Sequence, residues 1–467
     1  MAQHPPIVWS IAGLDTAGGA GLSADQRAAD ALGVHLCPVA ACLTAQNSQG
    51  VQALFPVSAE ALQAQLQALA QDLPPRAIKT GLLGSVEAIE AVARWVDHFR
   101  AQTPAGTDPH QHLALVVDPV LKASAGGQPL SHEALLRAYR EHLLPRATVI
   151  TPNRAEAGAL LGHTDKQNIP ALARALQAMG SRAVFITGGD AEPDATHGLT
   201  ASHDIHHSID WLQTPHAQGW LTAPRVNTPH HHGTGCTLAS GMAAALALGH
   251  VEADACVLSK MLTHHALMHS HAAGHGAGPV VARTGFAAGP AHGGAPLPLL
   301  GMGEALAWTL TEGTSASALF QAFEAPANGL YGIVPTSAQL EQALEAGMSC
   351  MQLRHKGKQG LNEHLKTSLQ AAQSEGVQIF INDHWQATLD AIDAACGGPA
   401  PIGRLGLHLG QEDLLALSEP DQQRLLQART QVMLGLSSHS LWELARAAGC
   451  GASYIACGPV QATTTKD

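Results

Sequence analysis

The sequence predicts an α/β chain. A three-layer α/β/α sheet domain spans residues 1–284, and an incomplete (β/α)8 barrel spans 329–467. Three observations predict it. Short apolar runs alternate with Ala- and Leu-rich helical text from the start to about residue 284, as in a mostly parallel sheet between helix layers. The alternation restarts from Leu330 with a shorter period, six strand–helix units that suit a barrel. Between them, residues 285–328 open on FAAGPAHGGAPLPLLGMG, a Gly/Pro/Ala-rich stretch that suits a linker. At roughly 150 residues per domain, 467 residues make about three domains or two large ones. Hydrophobic residues are 46% and charged residues 13%, which permits sizeable cores and argues against disorder.

Each element has its own signal. The first-half strands are Ile7–Ala12, Leu36–Leu43, Ala77–Thr80, Leu113–Val117, Thr148–Ile150 and Ala183–Thr187, apolar at both alternating positions. Helices are expected at Ser58–Leu73, with Ser58 as a fair N-cap, and at Val86–Phe99, His132–Leu143 and Ile169–Met179. Within the linker, Glu304–Leu310 and Ala316–Glu324 are expected as short helices. The second-half strands are Leu330–Val334, Cys350–Leu353, Ile379–Ile381, Leu405–Leu409, Val432–Leu436 and Tyr454–Cys457.

Composition excludes several classes. The formal charge is −12 and aromatics are 4%, which leaves no global field for nucleic acid and no extended base-stacking platform. Eight scattered cysteines without a C-x-x-C pair point to a reducing compartment. The N-terminus lacks a basic region and an adequate apolar run for a signal peptide, and no apolar stretch is long enough for a membrane span. The expectation is a cytoplasmic protein. Many of the 28 histidines sit in runs such as His230-His231-His232. A metal cluster is one reading. Biased composition on exposed turns is preferred, because no acidic or cysteine partner recurs at a ligand-like spacing.

The sharpest local motif is His232-Gly233-Thr234-Gly235-Cys236-Thr237 before the small-residue helix Leu238–Leu248. A glycine turn opening a helix offers backbone N–H groups at a positive dipole end, a cradle for phosphate. Ordinary helix-start packing also uses glycine. A second loop, Gly18-Gly19-Ala20-Gly21, follows the first strand and carries Asp25 on the next helix. It fits the dinucleotide fingerprint poorly, and a tight turn with a surface Asp is the blander reading.

Six pieces in order and spacing carry a resemblance. They are IAGLDTAGGAGLSADQRAADALG, Thr44-Ala45-Gln46-Asn47, Lys79-Thr80-Gly81-Leu82-Leu83, Val117-Asp118-Pro119-Val120, Thr151-Pro152-Asn153 with Glu156, and HGTGCT. Together residues 5–284 resemble hydroxymethylpyrimidine/phosphomethylpyrimidine kinases, in the ribokinase-like superfamily. The resemblance implies ATP-dependent phosphorylation of the pyrimidine alcohol and then of its monophosphate, with Mg²⁺. It implies that Gly13, Asp25 and Gln46 line the pyrimidine pocket, with Gln46 on the aminopyrimidine edge, and that Asn153 and Glu156 position Mg²⁺ near the nucleotide phosphates. The amides of Gly233, Thr234, Gly235 and Cys236 would form the anion hole, with Cys236 as the base. A thiol at a helix N-terminus has its thiolate favoured. It further implies a homodimer through this domain. One departure stands out. Thr187-Gly188-Gly189-Asp190 replaces the family's Lys-Gly-Gly-His, which removes an ammonium from the phosphates. Lys122 and Arg154 are candidate substitutes. The alternatives are a ribokinase-like kinase for another vitamin such as pyridoxal, and a pyrimidine- or nucleotide-binding module without catalysis.

In the second half, polar residues collect at strand ends, the active face of a barrel. They are Gln352-Leu353-Arg354-His355-Lys356, Phe380-Ile381-Asn382-Asp383, Gly406-Leu407-His408-Leu409-Gly410-Gln411-Glu412-Asp413, Gly435-Leu436-Ser437-Ser438-His439, and Gly458-Pro459-Val460 leading to Thr463-Thr464-Thr465-Lys466. Two carboxylates, Asp383 and Asp413, suit a Mg²⁺ on a diphosphate. In order and spacing this set resembles thiamine-phosphate synthases. The resemblance implies condensation of the pyrimidine diphosphate with a thiazole phosphate. Gln352, Arg354, Lys356 and Asn382 would bind the pyrimidine diphosphate, and Asp383 and Asp413 the Mg²⁺. Ser437 would lie near the diphosphate, Thr463 and Thr465 would bind the thiazole phosphate, and Lys466 the diphosphate. That family continues for two more strand–helix units beyond T-x-T-K, so the expectation here is a fragment of a longer protein or an inactive second domain.

Overall fold

The computed structural model describes residues 4–121, 133–162, 168–188, 207–303, 320–396 and 403–459. The chain divides into two compact units, Met1–Pro298 and Leu299–Asp467.

In the first unit the described strands are β1 (Ile7–Leu14), β2 (His35–Asn47), β3 (Gly50–Pro56), β4 (Ala77–Thr80), β5 (Ala114–Val117), β6 (Val149–Ile150), β7 (Ala183–Ile186), β8 (His207–Gln213) and β9 (Gln218–Pro224). They form one sheet in the order β9-β8-β7-β6-β5-β4-β1-β2-β3. The run from β2 to β7 is parallel, while β3 and β8 lie antiparallel to their inner neighbours. Val8 pairs with Leu36 on one side and Ala77 on the other. The β1–β2 register shifts between Ala12 and Gly13, which bends the end of β1 at the glycine.

Strands β4 to β7 are buried at every position because helices cover both faces. The period of two in β1 assigns the layers. Trp9 points to α3 (Val86–Arg100), where its ring meets Trp95 and Phe99 with centroids 6.3 and 5.4 Å apart. Ser10 points to the opposite layer, built from α1 (Gly21–Leu32), α6 (Thr234–Ala247) and α7 (Glu252–Met268). The other main helices are α2 (Ala59–Asp72), α4 (Arg154–Leu161) and α5 (Ile169–Ala178). Ser58 caps α2 by accepting from the Ala61 amide. The helix expected at His132–Leu143 is described from Glu133 and ends in a wider π-helical turn, Tyr139–Leu143.

The second unit has six parallel strands in sequence order: β10 (Gly332–Val334), β11 (Cys350–Leu353), β12 (Gln378–Asn382), β13 (Leu405–Leu409), β14 (Met433–Ser438) and β15 (Tyr454–Cys457). Helices α8 (Ser337–Glu345), α9 (Leu361–Ala372), α10 (Trp385–Cys396), α11 (Gln411–Leu415), α12 (Glu419–Gln427) and α13 (Leu441–Gly449) connect them. Alternation again sorts the side chains. Leu353, Ile379, Ile381, Leu405, Leu407, Leu434 and Leu436 belong to the core shared with the helices. Cys350, Phe380 and Met433 form a separate cluster with Phe323, Tyr331 and Tyr454. The polar Gln352, Asn382, His408 and Ser437 share the strand parity of that second cluster.

The helix expected at Glu304–Leu310 lies outside the described residues, as does most of Ala316–Glu324. The described end of the latter, Phe320–Glu324, is irregular. Its backbone is used elsewhere: Gln321 N–H donates to Val432 O, and Gln378 donates to Glu324 O and accepts from Glu324 N–H.

Candidate active site

A cavity of about 610 Å³ opens at the carboxyl ends of β1, β4, β5, β6 and β7, the place where open α/β sheets bind ligands. Two glycine loops build one wall. Gly233 has φ +87° and is the N-cap of α6. A Cβ there would lie 2.1 Å from Gly19 O, and a Cβ on Gly19 would lie 2.2 Å from the His232 ring. Only glycine lets these loops interlock. Asp15 ties the first loop together by accepting from the amides of Ala17, Gly19 and Ala20. His232 Nε2 reaches the same carboxylate at 2.9 Å, and the Gln46 carboxamide lies 3.2 Å from that nitrogen. Burial pushes the Asp15 carboxyl up, but the bonds from His232, Ala20 and Ala17 outweigh it and hold it below the usual range.

Gly13, Gln46, Asn153, Glu156, Gly233, Thr234, Gly235 and Cys236 all border the cavity. Thr237 N–H donates to Gly233 O, so the Gly235 and Cys236 amides precede the first intrahelical bond of α6. Asn153 and Glu156 form a reciprocal capping box on α4, and Glu156 also accepts from Leu121 N–H. Among the described residues no set of three His, Cys, Asp or Glu side chains is placed to hold a metal.

Two expectations need correction. Asp25 does not line the cavity. It is fully buried beneath it, where both oxygens accept from Lys79 at 2.9 and 3.0 Å, Oδ2 from Ser10 at 2.6 Å and Oδ1 from Ser240 at 2.7 Å. Its lone pairs are committed to the fold. Cys236 is not a favoured thiolate either. Burial pushes its thiol up to about 12, Lys79 pulls it down, and Asp25 and Asp118 push it up again. Desolvation outweighs the pull of Lys79 and of the Gly21 N–H bond, so the resting side chain is a thiol. His232 also departs from the exposed-turn reading of the histidine runs, being only 5% exposed.

At the other end of the cavity, Thr187 sits beside Asn153, to which its backbone bridges. The sequence reading missed Lys260, on α7. Its ammonium pairs with Asp210 at 2.5 Å and donates to the backbone and hydroxyl oxygens of Ser208 at 3.1 and 3.2 Å. Gly188 N–H donates to the other Asp210 oxygen. Lys260 and Arg225 line the cavity with Thr187. Of the two residues proposed in place of the missing lysine, Arg154 opens α4 and does not line the cavity, and Lys122 lies outside the described residues with Asp190. No motif marked Lys260, since a lone lysine in a helix has no local signature.

In the second unit the predicted residues fall into two groups. Gln352 and Asn382 are buried, and Gln352 Nε2 donates to Asn382 Oδ1 at 2.6 Å. Tyr331 Oη donates to Gln352 Oε1 and meets Tyr454 Oη at 2.5 Å. His408 joins Tyr454 at 2.7 Å to Ser437 at 3.0 Å. The sequence reading quoted His408 in a strand-end motif without a role and did not single out Tyr331 or Tyr454; these three connect the residues it named. Arg354, Lys356, Asp383 and Asp413 are exposed at the strand ends. Asp383, the residue after β12, has φ +63°, a conformation uncommon for an L-residue. Burial and then the Asp413 charge push its carboxyl up, against His384 and Arg354. Like charges this close suit a divalent cation. Thr463, Thr465 and Lys466 lie outside the described residues.

Comparison with known proteins matches a family to each half of the chain. Residues 15–281 match the phosphomethylpyrimidine kinase family, and residues 330–467 match the thiamine monophosphate synthase family. The chain is 38% identical over 277 residues to a hydroxymethylpyrimidine/phosphomethylpyrimidine kinase of Synechococcus elongatus, covering 59% of this chain and 96% of that protein. It is 30% identical over 468 residues to a probable chloroplastic thiamine biosynthetic bifunctional enzyme of Oryza sativa, covering 99% of this chain and 76% of the rice protein. Among solved structures, a pyridoxal kinase from Staphylococcus aureus in complex with AMP-PCP matches with a TM-score of 0.50 and 27% identity, over 60% of this chain and 94% of that one. ATP is the phosphate donor of the kinase family, the first unit is ribokinase-like, and no described helix is long and apolar enough to cross a membrane. The chain belongs to the bifunctional thiamine-biosynthesis enzymes, in which a hydroxymethylpyrimidine/phosphomethylpyrimidine kinase is joined to a thiamine-phosphate synthase.

Proposed function

We propose that the first-unit cavity holds the pyrimidine against Gly13 and Gln46, with its hydroxymethyl group facing the α6 N-terminus and the nucleotide phosphates reaching Thr187, Lys260 and Arg225. The observation that carries this is the cavity itself, which Gln46, Gly235, Cys236, Thr187 and Arg225 line together. The amides would take the charge that develops on the transferred phosphoryl group. Arg225, exposed at the cavity, would supply the positive charge that Thr187 lacks, since the buried Lys260 ammonium is already paired with Asp210. Cys236 starts as a thiol, so it would take the hydroxyl proton only as the thiolate, after its own proton has passed to solvent. Mg²⁺ fits here as an ion carried on the phosphates and reached through water, because the Asn153 and Glu156 side chains already bond the backbone. When bound, it would neutralise phosphate charge.

In the second unit, Gln352 and Asn382 would read the pyrimidine ring, and Ser437 and the exposed Arg354 and Lys356 would face the diphosphate. Asp383 and Asp413 would hold Mg²⁺, which stabilises the departing diphosphate. Thr463, Thr465 and Lys466 keep their family roles in this proposal. A homodimer through the kinase unit and a cytoplasmic location complete the reading; the free state of the cysteines described supports a reducing compartment.

One mixture tests it: the full chain, hydroxymethylpyrimidine, Mg²⁺-ATP and thiazole phosphate, followed by mass spectrometry. The expected products are pyrimidine diphosphate and thiamine phosphate. Pyrimidine diphosphate alone would refute the second site, and the absence of both would refute the first. A control with ready-made pyrimidine diphosphate separates the two failures.

A further inference from the structure

The Asp15, His232 and Gln46 side chains meet with a single consistent pattern of donors and acceptors. Asp15 is an ionised, acceptor-only carboxylate already taking three amide bonds. His232 Nε2, 2.9 Å from Asp15 Oδ2, must therefore donate. The Nδ1 of the same ring is buried without a partner, which leaves the ring proton on Nε2. The Gln46 amide nitrogen lies 3.2 Å from that N–H, and two donors do not bond each other. The two ends of a carboxamide have nearly the same shape. Turning it half a revolution places Oε1 against the imidazole N–H, which Asp15 and Gln46 then share.

We propose that the Asp15–His232 pair locks Gln46 with Oε1 towards His232 and its NH₂ towards the cavity, and so makes the kinase site selective for an aminopyrimidine edge. In this orientation the NH₂ donates to a ring nitrogen, and the second lone pair of Oε1 accepts from an adjacent exocyclic amino group. The 4-oxo analogue offers the reverse order, an N–H beside a carbonyl. It would leave buried donors facing donors, the mismatch that polar sites reject most strongly. Without the lock, Gln46 turns over and reads either edge. Asp15 and His232 thus act as positioning residues. Gly19 supports them, since any side chain there would displace the imidazole.

The inference rests on the proposal that Gln46 reads the pyrimidine. The test is the ratio of kcat/KM for hydroxymethylpyrimidine to that for its 4-oxo analogue, measured on the full chain. Both substrates use the same phosphoryl-transfer groups, so general damage cancels. Gln46→Leu should lower the preference, and an unchanged ratio there would overturn the Gln46 reading. His232→Phe should lower it by at least about tenfold, the equivalent of about 1.4 kcal/mol. A folded His232→Phe enzyme with an unchanged ratio, beside a lowered ratio in Gln46→Leu, would overturn the lock alone. If His232→Phe fails to fold, the near-isosteric Asp15→Asn carries the same expectation. Calorimetry on the unaltered enzyme gives an independent reading: equal affinity for the two pyrimidines would also overturn the lock.

Discussion

Replacing Lys79 with methionine isolates the buried charge beneath the kinase cavity. Lys79 and Asp25 have 0% side-chain exposure, and the ammonium donates to both carboxylate oxygens at 2.9 and 3.0 Å. It also lies 4.0 Å from Asp118. Lys79→Met leaves Asp25 with only the Ser10 and Ser240 hydroxyls. Breaking one side of a buried pair costs about 3–5 kcal/mol. For a unit of this size the midpoint of thermal unfolding moves about 2–4 °C per kcal/mol, giving a fall of roughly 6–20 °C. Thermal unfolding of the full chain, with hydrogen exchange on the β1 and β4 peptides to locate the loss, measures it. Lys79→Met/Asp25→Asn removes both charges and should recover at least half of the loss, since the stranded carboxylate is the main cost. A Lys79→Met protein within about 1 kcal/mol of wild type would refute the reasoning. So would an Asp25→Asn protein of unchanged stability and raised KM, which would return Asp25 to the substrate.

Three further outcomes follow from the same site. Burial raises the Asp118 carboxyl from 3.8 to about 6, with Lys79 opposing and Asp25 adding. Its stabilising contribution is therefore fully present below pH 3.8 and lost as pH rises through about 6, a swing of about 3 kcal/mol. Asp118→Asn should lose less stability between pH 4 and pH 7.5 than wild type in denaturant titrations; equal losses would place the titration elsewhere. With its thiol near 12, Cys236 should be alkylated by iodoacetamide at pH 8 on the order of a thousandfold more slowly than a free cysteine, and well behind the exposed Cys457, as followed by peptide mass spectrometry. Thr187→Lys should raise kcat and Arg225→Met should lower it more than tenfold, about 1.4 kcal/mol of transition-state stabilisation. Steady-state kinetics reads both, and an unchanged kcat in Arg225→Met would remove that arginine from the phosphate end.

The central strands were legible because periodicity and burial agree. Ala77–Thr80 and Leu405–Leu409 are each buried at every position, and the structure gives both with the expected ends. Strands β3, β8 and β9 were not legible. The β8 text HSIDWLQ carries Asp210, which accepts from Lys260 and Gly188, and Gln213, whose Nε2 donates to Gln218. Those partners lie on other elements, so the segment resembles a polar loop when read alone. The glycine loops were legible as loops, while their interlocking was not, because Gly19 and Gly233 are 214 residues apart in the chain.

Asp25 and His232 failed as sequence readings for opposite reasons with one physical cause. Asp25 follows a glycine loop, so a ligand role looked natural. Yet Ser10, Lys79 and Ser240, at sequence separations of 15, 54 and 215, consume its lone pairs. His232 sits in a run of histidines, so composition looked sufficient, yet Asp15, 217 residues away, gives its ring a fixed proton. In both cases the residue type and its local spacing were compatible with either role. What decides the role is whether a distant partner has already taken the polar atom, and a buried polar group must find one. The cavity therefore rests on a polar framework of Asp15, His232, Asp25 and Lys79 that fixes the two glycine loops and leaves Gln46 and the helix amides to face the substrate.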